Sequence, residues 1–252
     1  MSALDDLAGA AKSGTLYGIG VGPGDVRYLT LRAAALVRTV DLVAYFAKRD
    51  LVGNARRIVA PLLSAGRTER RFEYPLTDEV PADCALYRDE LGRFYRDVAN
   101  AIAGELRLGR SVGLLAEGDP FFYGSFMHIW RRLAADFPTE VVPGVTGMSG
   151  CWTRANVPIT WGDDSLVVLP GTLDEAKLVE RLRFADAAVV MKVGRHLAKV
   201  RRAVATAGLL ARAVYVERGT MEEERIRPLA ECGESEGAYF AMVLIPGEGR
   251  RV

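Results

Sequence analysis

One pattern constrains the fold of this chain more than any other: a short unbroken apolar run, a glycine or proline turn, then a helical stretch, repeated along the sequence. The runs "TLYGIGVG" (15–22), "DLVAYF" (41–46) and "SVGLLAE" (111–117) lack the polar–apolar alternation of a half-wet strand, and continuous apolar runs of this length suit strands buried on both faces. Between them, "TLRAAALVRTV" (30–40) reads as an amphipathic helix with Thr30 as its N-cap. Residues 84–108 place Leu91, Phe94, Val98 and Ile102 three or four apart, the spacing of one helix face. "FYGSFMHIWRRLAADF" predicts a further helix and "TEVVPG" a strand ending at a turn. Strands alternating with helices across short connections predict parallel pairing, with the helices laid on the sheet faces.

The alternation starts again after "NVPITWGDD", whose Pro158, Gly162 and acidic cluster read as a linker. "SLVVLPG", "DEAKLVERLR", "AAVVMKVG", "HLAKVRRAVATAG" and "RAVYVERG" continue it, and "EERIRPLAE" with "AYFAMVLIPG" across a Gly/Glu/Ser turn predicts a terminal antiparallel hairpin. Two α/β domains are expected, residues 14–157 and 158–252. The 252 residues, half of them apolar and with a net charge of +1, are enough for two modest cores.

The same composition excludes several function classes. No apolar run reaches the ~18 residues of a membrane span, and the start "MSALDDLAGAAKSG" lacks the basic-then-apolar order of a signal peptide, so a cytoplasmic protein is expected. Cys84, Cys151 and Cys232 are odd in number and far apart, which suits core thiols better than a disulfide framework. His128 and His196 have no metal-ligand spacing, and no protein-held metal is expected. Acids are mixed among the bases throughout, which argues against a nucleic-acid face. Basic charge is nearly all arginine, whose planar fork suits a polycarboxylate ligand and whose abundance a GC-rich coding sequence would equally produce.

Two glycine-bearing loops carry the chemistry. "GIGVGPGD" (18–25) resembles a dinucleotide loop, but frames started at Gly18, Gly20 and Gly22 meet Pro23, Asp25 and Arg27 where the third glycine belongs. Pro23 has no N–H to offer a phosphate and Asp25 would repel one. "LLAEGDPFFYGSF" (114–126) puts Glu117 and Asp119 at a strand's carboxyl end, where open α/β sheets collect ligands. These carboxylates disfavour phosphate and favour hydroxyls and cations. An adenine, a ribose with free hydroxyls, an amino group and a positive sulfur would suit acidic residues and flat aromatic walls, and S-adenosylmethionine carries all four. A hydrolase elbow around Ser149 fails because Cys151 stands where glycine is needed. A nucleotide-binding dehydrogenase and a noncatalytic binding module are the rival classes.

Taken in order, "GIGVGPGDVRYLTLRA", "LLAEGDPFFYGSF", "VPGVTGMSGCWTRANVPIT" and "VVMKVG…VYVERGT" resemble the tetrapyrrole methylases over nearly the whole chain. The resemblance implies two α/β domains of that type, with S-adenosylmethionine in the interdomain cleft and S-adenosylhomocysteine as product, a tetrapyrrole substrate and a homodimer. It implies that Glu117, Gly118, Asp119, Phe122, Thr146, Gly147, Val193, Gly194, Gly219, Ala241 and Met242 bind the cofactor. Tyr17, Pro23, Asp25 and Tyr123 become candidates for the substrate side. Arg154 and Arg195 are candidates for its carboxylates, and Asp119 is the first choice for a catalytic base. "EGDPFFYGSFMHIWRRL", "DSLVVLPGTL" and "VMKVGRHLAKVRRAV" are most similar to the members acting on the carbon-20 bridge of precorrin-2 in cobalamin biosynthesis. Action on another ring carbon or on a cobalt-bearing substrate is the near alternative.

Overall fold

The computed structural model describes residues 9–75, 85–233 and 237–249. Cys84 lies outside them. The chain divides into two compact units that meet between Thr146 and Gly147.

In the first unit, β1 (Leu16–Gly20), β2 (Leu42–Ala47), β3 (Glu69–Glu73), β4 (Val112–Ala116) and β5 (Thr139–Val142) form one sheet in the order β3-β2-β4-β1-β5. All its pairings are parallel. Helices α1 (Leu31–Thr39) and α2 (Asn54–Val59) cover one face, where Tyr17, Ile19, Val43, Leu36 and Ile58 pack together. Helices α3 (Ala85–Arg107) and α4 (Phe126–Leu133) cover the other, against Leu16, Leu42, Val112 and Leu114. With both faces covered, every residue of β1 and β4 is buried, which accounts for the unbroken apolar runs. Each fully enclosed side chain such as Ile102 or Leu114 contributes about 1.5–3 kcal/mol. Thr30 caps α1 as expected, its hydroxyl accepting from Ala33 N–H at 3.1 Å.

Strand β3, "ERRFE", departs from the sequence reading, which found no strand there. It is an edge strand with only Phe72 buried, and edge strands commonly carry charge that blocks further pairing. Helix α4 starts at Phe126, several residues later than its apolar pattern, because Tyr123 takes φ +56° and interrupts the helical path.

In the second unit, β6 (Leu166–Pro170), β7 (Ala187–Met191), β8 (Val214–Glu217), β9 (Arg225–Pro228) and β10 (Ala241–Ile245) are ordered β6-β7-β10-β8-β9. Helices α6 (Glu175–Arg183) and α7 (Leu197–Thr206) cover one face, contributing Leu178, Leu182 and Val200 to its core. Helix α5 (Gly147–Arg154) covers the other, with Cys151 packed among Val189, Val216 and Leu244 and with Met148 and Trp152 beside it. That packing puts α5 with the second unit, whereas the sequence reading divided the chain after residue 157.

The expected terminal hairpin is also corrected. Strand β10 does not pair with β9; it inserts antiparallel between β7 and β8, while β9 pairs with β8 at the edge. "AMVLI" is almost wholly buried and needs neighbours on both sides. "RIRP" alternates charge and ends in proline, which cannot donate to a ladder and so belongs at an edge.

Candidate functional site

The first unit's site follows from its topology. β1 leads through α1 to β2 on one side, whereas its neighbour β4 leads through α4 to β5 on the other. The two connections leave on opposite faces of the sheet, which opens a crevice at the strands' carboxyl ends, and both glycine loops leave from there.

Four glycines lock these loops together. Gly22 and Gly118 exchange backbone hydrogen bonds, Gly118 N–H donating at 2.8 Å and Gly22 N–H at 3.4 Å. A Cβ on Gly20 would come within 2.6 Å of Gly144 N, and one on Gly144 would run into Gly118 O. The space beside Gly18 is filled by the Phe126 ring. These glycines admit protein rather than a pyrophosphate, which removes the physical basis of the dehydrogenase reading.

Asp119 is bound into the same junction. Its Oδ1 accepts from Phe121 N–H at 2.9 Å and its Oδ2 from Gly144 N–H at 3.1 Å, so one carboxylate shapes the acidic turn and ties it to the Pro143-Gly144 turn. Both oxygens are committed to main-chain donors, a positioning task that the expected base role did not anticipate. Glu117 Oε1 accepts from Ala55 N–H at 3.2 Å, capping α2 in place of Gly53, which has no side chain to do so. The Glu117 side chain is exposed, yet desolvation raises its pKa against the opposing effect of the Ala55 N–H and its own. A carboxylate so shielded, with so few donors, gains from an approaching cation and would repel a phosphate, which fits the sulfonium nucleoside expected from the sequence.

The substrate-side candidates separate. Tyr17 is 0% exposed, and its hydroxyl accepts from Lys12 N–H at 2.7 Å; it is a core residue with no surface for a ligand, which corrects the expectation. Pro23 is buried at the turn. Asp25 accepts from Arg27 N–H at 2.9 Å and pairs with the Arg27 guanidinium, so it shapes the 26–28 turn. Phe122 is half-buried and Tyr123 exposed, their rings edge to face at 5.0 Å.

In the second unit, Ala241 sits opposite Glu217 in the ladder and leads β10 in between the carboxyl ends of β7 and β8. The turns bearing Val193, Gly194 and Gly219 leave from those ends. Val193 is 0% exposed and has only its backbone to offer. Gly194 O accepts from Gly237 N–H at 3.0 Å. Gly219 packs so closely on α5 that a Cβ would come within 2.8 Å of Cys151 Sγ, and one on Gly147 within 3.0 Å of Met242 Cε. The expected cofactor residues of this unit therefore cluster at one end of its sheet. Lys192, Arg218 and Thr220 there take φ of +56°, +51° and +69°, and for the β-branched Thr220 this is a strained conformation. Such strain collects at binding sites. Thr146 stands half-buried just before α5.

Arg154 forks onto Glu224 through Nε and Nη2 at 2.8–2.9 Å, and Glu224 also accepts from Thr220 N–H at 2.7 Å. That pair steadies the Gly219 turn, a role different from the substrate-carboxylate contact expected of Arg154. Arg195 is exposed at the 194–196 turn. Burial, with Glu224 nearby, pushes the Cys151 thiol up to about 12, so it is inert packing. Among the described residues no cluster of three His, Cys, Asp or Glu could hold a metal ion. Sequence reasoning missed the Ala55 donor, Glu224 and a pair of tyrosines at Ser125, because each reaches its partner from a distant part of the chain. It did pick out the Pro-Gly turn that contains Gly144.

Known proteins place the chain closely. The family model described as Tetrapyrrole (Corrin/Porphyrin) Methylases matches residues 15–232. The chain is 50% identical over 234 residues to a precorrin-2 C(20)-methyltransferase of Sinorhizobium, covering 93% of this chain and 96% of that protein. It is 43% identical to the cobalamin biosynthesis protein CobIJ of Mycobacterium tuberculosis, covering 94% of this chain and 47% of the longer relative. Among solved structures, a cobalt precorrin-4 methyltransferase superposes with TM-score 0.71 at 20% identity, over 92% of this chain and 95% of that one. A uroporphyrin-III C-methyl transferase of Thermus thermophilus, complexed with S-adenosylhomocysteine, superposes with TM-score 0.64 at 24% identity, over 94% and 99%. These two likenesses concern the fold.

Proposed function

This chain belongs to the tetrapyrrole methylase family, and on that premise we propose that it transfers a methyl group from S-adenosylmethionine to the carbon-20 bridge of precorrin-2, giving precorrin-3A in cobalamin biosynthesis. The observation that carries this is 50% identity over almost all of both chains to a precorrin-2 C(20)-methyltransferase. The near alternatives, another ring carbon or a cobalt-bearing ring, belong to the same chemistry.

When bound, S-adenosylmethionine supplies a methyl group already activated by its positive sulfur. The electron-rich bridge carbon forms the new C–C bond as the C–S bond breaks, and the macrocycle afterwards loses a proton. The protein's chief task is to hold two large reactants in line, which is worth roughly 7–11 kcal/mol, whereas general-base help adds on the order of 10²- to 10⁴-fold. Positioning is therefore the larger share.

Glu117 faces the cationic end of the cofactor in this reading, and Asp119, Gly118, Phe122 and Thr146 shape its surroundings. Gly147, Val193, Gly194, Gly219, Ala241 and Met242 present backbone and small surfaces to the nucleoside. Asp119 acts as a positioning residue, since both its oxygens already hold main-chain N–H groups. Tyr123, Pro23 and Asp25 remain on the substrate side. We take the enzyme to be a cytoplasmic homodimer, in line with the family resemblance; no described helix is long and apolar enough to cross a membrane. Sedimentation at the monomer mass would remove the dimer.

The deciding experiment supplies methyl-labelled S-adenosylmethionine with metal-free or cobalt-loaded precorrin-2 and locates the label by NMR. Label at carbon 20 of the metal-free ring is expected. Label at another ring carbon, or turnover of the cobalt form alone, would overturn the specific assignment.

A further inference from the structure

The acidic turn is held at both ends, and the hold at its far end is unusual. Ser125 occupies the N-cap position of α4 but makes no capping hydrogen bond, forgoing a contact typically worth ~1 kcal/mol. Its Oγ lies instead 2.6 Å from the Tyr74 hydroxyl and 2.9 Å from the Tyr95 hydroxyl. A serine hydroxyl has one proton to donate and two lone pairs, so it can serve both phenols at once. One comes from the exit of β3, where Tyr74 N–H donates to Ala47 O at 3.0 Å, and the other from α3.

The phenols are rigid partners. Tyr74 stacks on Phe46 with centroids 5.4 Å apart and touches Phe94 at 5.3 Å. Tyr95 lies between Phe94 at 5.4 Å and a parallel His128 ring at 4.3 Å. The loop itself is suspended between these anchors. Asp119 pins its near end, and between Asp119 and Ser125 lie the proposed ligand-facing Phe122 and a Tyr123 forced to φ +56°. A non-glycine residue keeps such a conformation only where its surroundings over-determine it.

Resting on the methyltransferase reading above, we propose that Ser125, clamped by Tyr74 and Tyr95, is a positioning residue that sets the pose of the Phe122–Tyr123 turn and thereby selects the ring carbon that meets the methyl group. It touches neither reactant; it acts through the turn.

The test compares the full-length wild type with Ser125→Ala, Ser125→Thr and the double variant Tyr74→Phe/Tyr95→Phe. Amide hydrogen exchange of the ligand-free protein reads the clamp without any turnover. Exchange over residues 119–127 should rise on the order of tenfold in Ser125→Ala and in the double variant, with the second unit unchanged. Turnover should fall on the order of 10- to 100-fold, with a smaller rise, about three- to fivefold, in KM for S-adenosylmethionine because Phe122 borders its site, and part of the label should move to a ring carbon the wild type does not use. Ser125→Thr, which keeps the hydroxyl, should restore both. Unchanged exchange in Ser125→Ala overturns the clamp. Raised exchange with wild-type turnover and product overturns its role in transfer. A wild type that methylates no tetrapyrrole removes the methyltransferase reading and that role with it, and the exchange data then still decide the clamp.

Discussion

Residues here are chosen as much by what they leave out as by what they contribute. Gly20, Gly118 and Gly144 bring three loops within backbone contact, so Gly144→Ala, whose new methyl would meet the Gly118 carbonyl and not a flexible side chain, should cost about 3 kcal/mol; urea denaturation checks this, and a cost near zero would mean the junction relaxes freely. Glu117 makes the opposite kind of statement. Its folded pKa is raised by desolvation, so its contribution is favourable below the unfolded value and is lost as pH rises through the folded one, leaving the ionised group a liability at neutral pH. Glu117→Gln should therefore raise the melting temperature at pH 7, leave it unchanged near pH 4, and weaken S-adenosylmethionine binding by calorimetry. Lower stability at pH 7 would show that the carboxylate is already well satisfied.

At the scale of elements, the second unit depends on two features that look minor in sequence. Helix α5 meets the Gly219 turn through Cys151 and through the Arg154–Glu224 pair, with Glu224 also holding Thr220 N–H. The ion pair is half exposed at Arg154 and contributes at most ~1 kcal/mol to stability, but it holds a strained turn in place. Arg154→Met should leave the melting temperature nearly unchanged while lowering S-adenosylhomocysteine affinity several-fold, on the order of 1 kcal/mol, by isothermal titration. Equal affinity in the variant would separate the turn from the cofactor. Strand β10 illustrates the other feature: its unbroken apolar run made a strand certain, yet whether it lay beside β9 or between β7 and β8 depended on which neighbours had unfilled hydrogen bonds.

For the whole molecule, acid should be the more damaging direction of pH. Asp41 is held low by the N–H and hydroxyl of Ser111, Glu140 by its hydrogen bonds with Arg32, and Glu224 by those with Arg154. A carboxylate whose folded pKa is depressed contributes stability that is complete above its ordinary value near 4 and is lost as pH falls through the folded value. Denaturation free energies measured from pH 7 down to 3 should therefore fall below about pH 4, and Asp41→Asn should flatten that limb; a limb of unchanged slope in the variant would assign the loss elsewhere. The general alternation of strands and helices, the parallel first sheet, the Thr30 cap and the turns at the two glycine-bearing loops were legible in the sequence, because each follows from periodicity or local stereochemistry within a dozen residues. The charged edge strand β3, the central place of β10, the allegiance of α5, the burial of Tyr17 and the Tyr74–Ser125–Tyr95 clamp were decided only in three dimensions. Each depends on which distant surface remained to be covered or which donor remained unpaired once the sheets had formed, and no local pattern carries that information.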